Sequence, residues 1–126
     1  LLRAGKHEAA LVSASGAVAR LEFSARPLAR ALLPDQHYQC GVIYAAQSNY
    51  HRALTHFGAA AVLGERKTRL RAWALLRQGT MHDLLGDRGA AQSCYRAVRA
   101  GRQVSDTARA YASQFIDQPY AGQELE

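Results

Sequence analysis

The chain has 126 residues, of which 48% are hydrophobic and 21% charged, a composition typical of one globular domain and unlike that of a disordered chain. Its formal net charge is +6, and residues 1–33, 34–71 and 72–103 each hold five positive and two negative side chains. This even spread argues against a dedicated nucleic-acid-binding patch. No apolar run approaches the ~20 residues that a bilayer-spanning helix needs, so no membrane segment is expected in this chain.

Apolar residues spaced by three and four predict helices along most of the chain. Pro34 can open the first clear one, because proline is tolerated in the first turn of a helix. Gly86 suits a left-handed C-terminal stop, and Ser105 is placed to cap the last helix. Connections of two to four residues make consecutive helices antiparallel. After N-terminal helices within residues 1–33, helices are predicted at about residues 34–47, 50–62, 67–85, 88–100 and 105–117.

Two of the predicted helix pairs superimpose when Gly41 is aligned with Gly79, an offset of 38 residues. In the first helix of each pair, the glycine is followed three residues later by Tyr44 or His82. The second helices match as a small, a large aromatic and a small residue, namely Ala53, Phe57 and Ala60 against Ala91, Tyr95 and Val98. This pattern resembles the tetratricopeptide repeat, although the offset exceeds that family's usual ~34 residues. The extra residues lie around 64–67.

The resemblance implies an all-α fold of about five to seven helices, in which antiparallel hairpins stack as a short right-handed α-solenoid. In such hairpins a small residue lets two helix backbones approach, and an aromatic residue wedges into the next hairpin. The implied organisation is N-terminal helices forming a truncated or divergent repeat (1–33), two repeats (34–103), a capping helix (104–118) and a tail (119–126) whose Leu125-Glu126 end looks like a tag scar.

In this family the first helices of successive hairpins line a concave groove that holds peptides or helices of partner proteins. Trp73 is the only tryptophan, and a rigid aromatic side chain near an arginine is typical of a binding hot spot. An alternative is that Trp73 packs beneath residues 1–33. The resemblance thus implies a protein–protein interaction or scaffold module, with self-association as a further expectation. Its matching groove positions are Tyr38, Gln39, Val42, Trp73, Arg77, Thr80 and Asp83.

A second hypothesis rests on arginines of the predicted 88–100 helix. Arg88, Arg96 and Arg99 recur at helical spacing on its outer face, and Arg102 lies just beyond. Such a basic face could contact phosphates, which makes a nucleic-acid-binding or regulatory helical domain the alternative function. A solvated helix face explains the same pattern, and no aromatic side chains interleave these arginines. Nucleic acid is therefore not the expected partner.

The sequence predicts no enzymatic activity, no cofactor and no metal site. It has no H-E-x-x-H, no glycine-rich phosphate loop and no G-x-S-x-G. His37 and Cys40 share one predicted helix and could form a thiolate–imidazole pair, but no third group is placed to orient them. Cys40 and Cys94 are expected to be buried thiols in a reducing compartment, which predicts a cytoplasmic location.

Overall fold

The computed structural model describes the backbone of residues 27–125 and the side chains of residues 33–125. Predictions made for residues 1–26 lie outside these described residues. Within the described part the chain forms five helices and no strand, which confirms the all-α prediction. We number them α1 (Pro27–Ala46), α2 (Tyr50–Leu63), α3 (Thr68–Leu84), α4 (Arg88–Ala100) and α5 (Asp106–Asp117).

The first helix begins at Pro27, so the prediction that Pro34 opens it was wrong. Pro34 lies inside α1, where it removes one backbone hydrogen bond. Pro34 is buried, and its Cβ lies 3.5 Å from the position that a Cβ on Gly64 would take. Packing of the Pro34 ring therefore offsets part of the lost hydrogen bond.

The other helix ends follow the sequence signals. Asp87 and Ser105 cap α4 and α5, since their side chains accept hydrogen bonds from the N–H groups of Ala90 and Ala108, each at 3.2 Å. Gly86 has a φ of +84°, the left-handed conformation predicted for the stop after α3. These helix ends could therefore be predicted from the local sequence, without information about tertiary contacts.

One close contact recurs in the two hairpins α1–α2 and α3–α4. A Cβ on Gly41 would lie 2.6 Å from the ring of Phe57, and a Cβ on Gly79 would lie 2.5 Å from the ring of Tyr95. Both rings are fully buried. Glycine is required at both positions, because any side chain there would overlap the aromatic ring of the second helix. The two contacts are related by the offset of 38 residues that aligns the sequence.

The turn inside each hairpin recurs as well. Ser48 and Gly86 both adopt a left-handed conformation, with φ of 60° and 84°. The next residue then donates its N–H to the helix it follows: Asn49 to the Tyr44 carbonyl at 2.9 Å and Asp87 to the His82 carbonyl at 2.8 Å. The backbone therefore takes the same path in both hairpins.

The helices pack in chain order, and α3 lies at the centre of the array. Each helix contacts the next one, and α3 also contacts α1 and α5. Among the described helices α2 and α4 do not contact each other, so α1, α3 and α5 form one layer and α2 and α4 the other. This arrangement is consistent with a helical repeat. Within residues 27–125 no helix combines the length and apolarity that a bilayer crossing requires.

Candidate functional site

The α1–α3 side of the first layer carries a groove bordered by one stripe of side chains from each helix. Residues spaced by three and four share one side of a helix, so both stripes follow directly from the sequence. The N–H at Nε of Arg77 donates a hydrogen bond to the Tyr38 hydroxyl at 3.3 Å, which joins the two stripes across the groove. We call the part toward the start of α3 the upper half and the part toward its end the lower half. The stripes are Tyr38, Val42 and Ala45 on α1, and Leu70, Trp73, Arg77, Met81 and Leu84 on α3.

The upper half is an open cleft of about 770 Å³. Tyr38, Leu70 and Trp73 give it an apolar lining, and Ser105 and Thr107 at the start of α5 close its far side. The Trp73 ring is half-buried and packs edge-on against Tyr111 of α5, with ring centroids 6.2 Å apart. That contact holds the indole in one position while leaving part of it on the cleft surface.

Three cations border the upper half, namely Arg66, Lys67 and Arg69. Lys67 forms an ion pair with Asp35 at 3.1 Å, and both side chains of that pair are about half exposed. Arg66 and Arg69 are exposed and form no ion pair with any carboxylate in the described part of the chain. No side chain caps the start of α3, so its first N–H groups add positive potential at the same place. The upper half is therefore apolar at its base and positive at its edge.

The lower half is bordered by the chain's own C-terminal segment, residues 118–125. Val42, Met81 and Leu84 lie on the groove side of a cleft of about 500 Å³, and residues from Tyr120 to Leu125 line its other side. Burial raises the pKa of Tyr120, while Arg77 opposes that rise. The lower half is thus already partly covered by a segment of this chain.

Asp83 connects this segment to the helices. Its side chain is only 1% exposed and accepts four hydrogen bonds: two from Arg88 Nη1 at 3.0 and 3.1 Å, one from the Tyr95 hydroxyl at 2.6 Å, and one from the Tyr120 backbone N–H at 3.0 Å. Burial, and then the hydrogen bond to Asp83, raise the pKa of Tyr95. Arg88 Nη2 also donates to the carbonyls of Phe115 and Ile116, at 2.6 and 2.7 Å. This network ties α3, α4, the end of α5 and the C-terminal segment together.

Not all of the predicted groove residues lie on the groove. Gln39 is exposed but lines neither cleft. Thr80 is 1% exposed and donates to the Arg77 carbonyl at 2.6 Å. Thr80 and Asp83 are therefore buried rather than accessible, because the side of α3 that carries them faces the rest of the fold. The predicted residues that do line the groove are Tyr38, Val42, Trp73 and Arg77.

Only some of the arginines of the predicted basic face lie together on the surface. Arg96 and Arg99 border a shallow depression on α4, and Arg102 is exposed beyond the helix. Arg88 does not belong with them, since its guanidinium points toward Asp83 and the end of α5. Arg96 and Arg99 lie on the exposed side of α4, whereas Arg88 lies at its start, beside the end of α5.

Sequence reasoning missed two parts of the site. Arg66 lies among the extra residues that lengthen the repeat and Arg69 follows them, and their charge was the available signal. Tyr120 lies in the predicted tail, and nothing in the local sequence indicates that the chain turns back there. A contact with Asp83, 37 residues earlier, cannot be read from a short pattern.

A histidine pair and a cysteine thiol lie outside the groove. His37 and His56 join α1 to α2 through their Nδ1 atoms at 3.1 Å, and His56 stacks on Tyr44 with centroids 5.3 Å apart. On α4, burial raises the pKa of the Cys94 thiol to about 11, which lowers its nucleophilicity at neutral pH. Among residues 33–125 no three His, Cys, Asp or Glu side chains come together as a metal site would require.

A comparison of the chain with models of protein families, with curated proteins and with solved structures finds no match in any of the three. The resemblance to the tetratricopeptide repeat therefore rests on the residue pattern of the chain itself.

Proposed function

We propose that the chain is a protein-interaction module of the tetratricopeptide-repeat type, whose groove between α1 and α3 holds a segment of a partner protein. The recurring glycine–aromatic contact and left-handed turn support the repeat. The contacts of α3 with both α1 and α5, without one between α2 and α4, support a short α-solenoid with two layers of helices. Its right-handed twist and a concave side formed by the first helices are what the resemblance implies. The proposal assigns binding rather than catalysis to this module.

The upper half of the groove is the observation that carries the proposal. A cleft of about 770 Å³ presents Trp73 and Tyr38 beside Arg66 and Arg69. Aromatic and arginine side chains dominate binding hot spots, because they bury large areas or donate several hydrogen bonds at once. The fitting partner is a peptide segment that packs an apolar side chain against Trp73 and sets an acidic one beside Arg66 or Arg69.

The test is affinity capture of partner proteins with two charge-matched variants. The groove variant carries Arg66→Glu and Arg69→Glu, and the control carries Arg96→Glu and Arg99→Glu on the outer face of α4. Both change the net charge equally, and all four side chains are exposed. We expect a protein captured by the wild type to be retained by the control and reduced at least tenfold with the groove variant, because a charge reversal at a binding site costs more than ~1.4 kcal/mol.

Mass spectrometry of the captured material would check this expectation, with circular dichroism to show that both variants stay helical. Loss of capture only in the control would contradict the proposal. If the material lost in that control were nucleic acid, released steeply with salt, the arginines of α4 would be the functional surface instead.

A further inference from the structure

The C-terminal segment makes few contacts, and one residue supplies most of them. The backbone N–H of Tyr120 donates to Asp83 at 3.0 Å, and its ring packs edge-on against Phe115 with centroids 5.3 Å apart. The Tyr120 hydroxyl donates to the carbonyl of Gln123 within the segment, and Leu125 packs against the core around α3 and α5. Residues 121–124 are exposed. The segment is thus held chiefly at Tyr120.

The helices do not depend on this segment for their own connections. Arg88 still joins Asp83 to the Phe115 and Ile116 carbonyls when Tyr120 is away, and Tyr95 still donates to Asp83. If the segment left this place, Asp83 would lose the backbone N–H of Tyr120 as a donor, and every peptide possesses backbone N–H groups. Because Asp83 is buried and charged, leaving that position without a donor is unfavourable. An extended chain that takes the place of Tyr120 can donate an equivalent backbone N–H to Asp83.

We propose that residues 118–125 are a resident ligand of the lower half of the groove, where they compete with a partner segment that carries a proline followed by a tyrosine. The proposal rests on the proposed function, since it names a second element of the partner and a way to regulate its access. In the resident segment Pro119 restricts the backbone before the anchor, while Tyr120 supplies the N–H for Asp83 and the ring for Phe115. A partner with the same pair satisfies both contacts.

Tethering decides how strongly the resident segment competes. A short linker gives an effective concentration on the order of millimolar. An intrinsic dissociation constant of about 0.1 mM would then keep the segment docked roughly nine-tenths of the time. The apparent affinity of a competing peptide would fall about tenfold, because binding is reduced in proportion to the free fraction of the site.

The experiment uses the full chain and a fluorescent peptide with the sequence of residues 118–125. Fluorescence anisotropy would compare the wild type with Tyr120→Ala, with Gln114→Ala as the control because its side chain is exposed on α5 and lines neither cleft. We expect the peptide to bind Tyr120→Ala about tenfold more tightly than the wild type or the control. A peptide with alanine in place of its tyrosine should bind none of the three. Equal affinity for wild type and Tyr120→Ala, or no binding to Tyr120→Ala, would overturn the proposal.

A second measurement needs no variant and covers the case in which Tyr120→Ala does not fold. Excess unlabelled peptide added to the wild type should speed hydrogen exchange of the Tyr120 amide and leave the amides of α3 unchanged. An unchanged Tyr120 amide at saturating peptide would also overturn the proposal. We expect peptide binding to be unchanged by Arg66→Glu and Arg69→Glu, which lie in the upper half. The peptide measurements therefore test the resident-ligand proposal, and partner capture with those two substitutions tests the proposed function separately.

Discussion

The first hairpin, α1–α2, and the second hairpin, α3–α4, share one backbone scaffold but use two corresponding positions differently. At the offset of 38 residues, Ala45 of the first hairpin corresponds to Asp83 of the second, and Tyr50 corresponds to Arg88. In the first hairpin these positions pack against an apolar cluster. In the second they form the buried ion pair that receives α5 and the C-terminal segment.

The difference follows from what each hairpin has to join. The scaffold positions recur because the close approach of two helices and the reversal of the chain require glycine and a left-handed residue wherever they occur. The first hairpin has no counterpart of Asp83 and Arg88. Only the second hairpin contacts the end of α5, where backbone carbonyls are free to accept hydrogen bonds. Residues that recur at the 38-residue offset therefore indicate the shared fold, and residues that differ indicate which other elements pack on each hairpin.

The largest effect should come from breaking that junction with Asp83→Ala. Removing a buried carboxylate leaves the Arg88 charge, the Tyr95 hydroxyl and the Tyr120 N–H without their acceptor. Because Arg88 is 30% exposed, we expect a loss of about 3 kcal/mol, the lower end for a broken buried pair. The control is Asp35→Ala, whose exposed pair with Lys67 should contribute less than about 1 kcal/mol. Similar losses in urea unfolding of the two variants would contradict the distinction.

The same junction marks the limit of what the sequence could predict. The family resemblance assigned Asp83 to the groove, and helical spacing assigned Arg88 to a basic face. Neither can tell which side of a helix meets a distant part of the chain. The partners that bury them, Phe115 and Tyr120, lie 27 to 37 residues away. A pattern confined to one hairpin contains no information about those contacts.

The next largest effects should come from the two glycines under the aromatic rings. Gly41→Ala and Gly79→Ala each place a Cβ within 2.6 Å of a ring carbon, and overpacking of this kind costs ~1–3 kcal/mol. The helix propensity of alanine returns about 1 kcal/mol, so the net loss in each hairpin should be up to ~2 kcal/mol. Gly89→Ala is the control, since a Cβ at that exposed helix position would meet nothing within 4 Å and should stabilise the protein.

If Gly41→Ala proved neutral in urea unfolding while Gly79→Ala did not, the two hairpins would not be structural equivalents. Alignment of the sequence with itself identified the glycine and aromatic positions, but it did not predict that each ring packs on the glycine of its own hairpin. Gly41 with Phe57, and Gly79 with Tyr95, each lie within a single hairpin and are separated by the same number of residues. Local contacts of this kind leave a pattern in the sequence, whereas the closing contact of Tyr120 leaves none.

A smaller effect should appear at the turns, where Ser48 takes the left-handed position that Gly86 takes in the second hairpin. Ser48 holds a φ of 60° with a side chain, whereas Gly86 holds 84° without one. A non-glycine residue in this region costs roughly 1 kcal/mol, so Gly86→Ser should destabilise and Ser48→Gly should stabilise by about that amount. Thermal unfolding of the two single variants and the exchanged pair would check this. A destabilised Ser48→Gly would show that the hydroxyl, not the backbone, matters at that turn.

The smallest effect concerns Cys94, which takes the position that His56 holds in the first hairpin. Burial raises the pKa of this thiol from 9.0 to about 11, so the folded state retains the proton more strongly than the unfolded chain. The stabilisation is complete below pH 9 and is lost as pH rises from 9 through about 11. Since solvent reaches part of Cys94, the loss at pH 10 should stay below about 1 kcal/mol. Urea unfolding at pH 7.5 and 10 should show a larger fall in the free energy of unfolding for the wild type than for Cys94→Ala. Equal falls would mean that the thiol ionises as freely in the folded protein as in the unfolded chain.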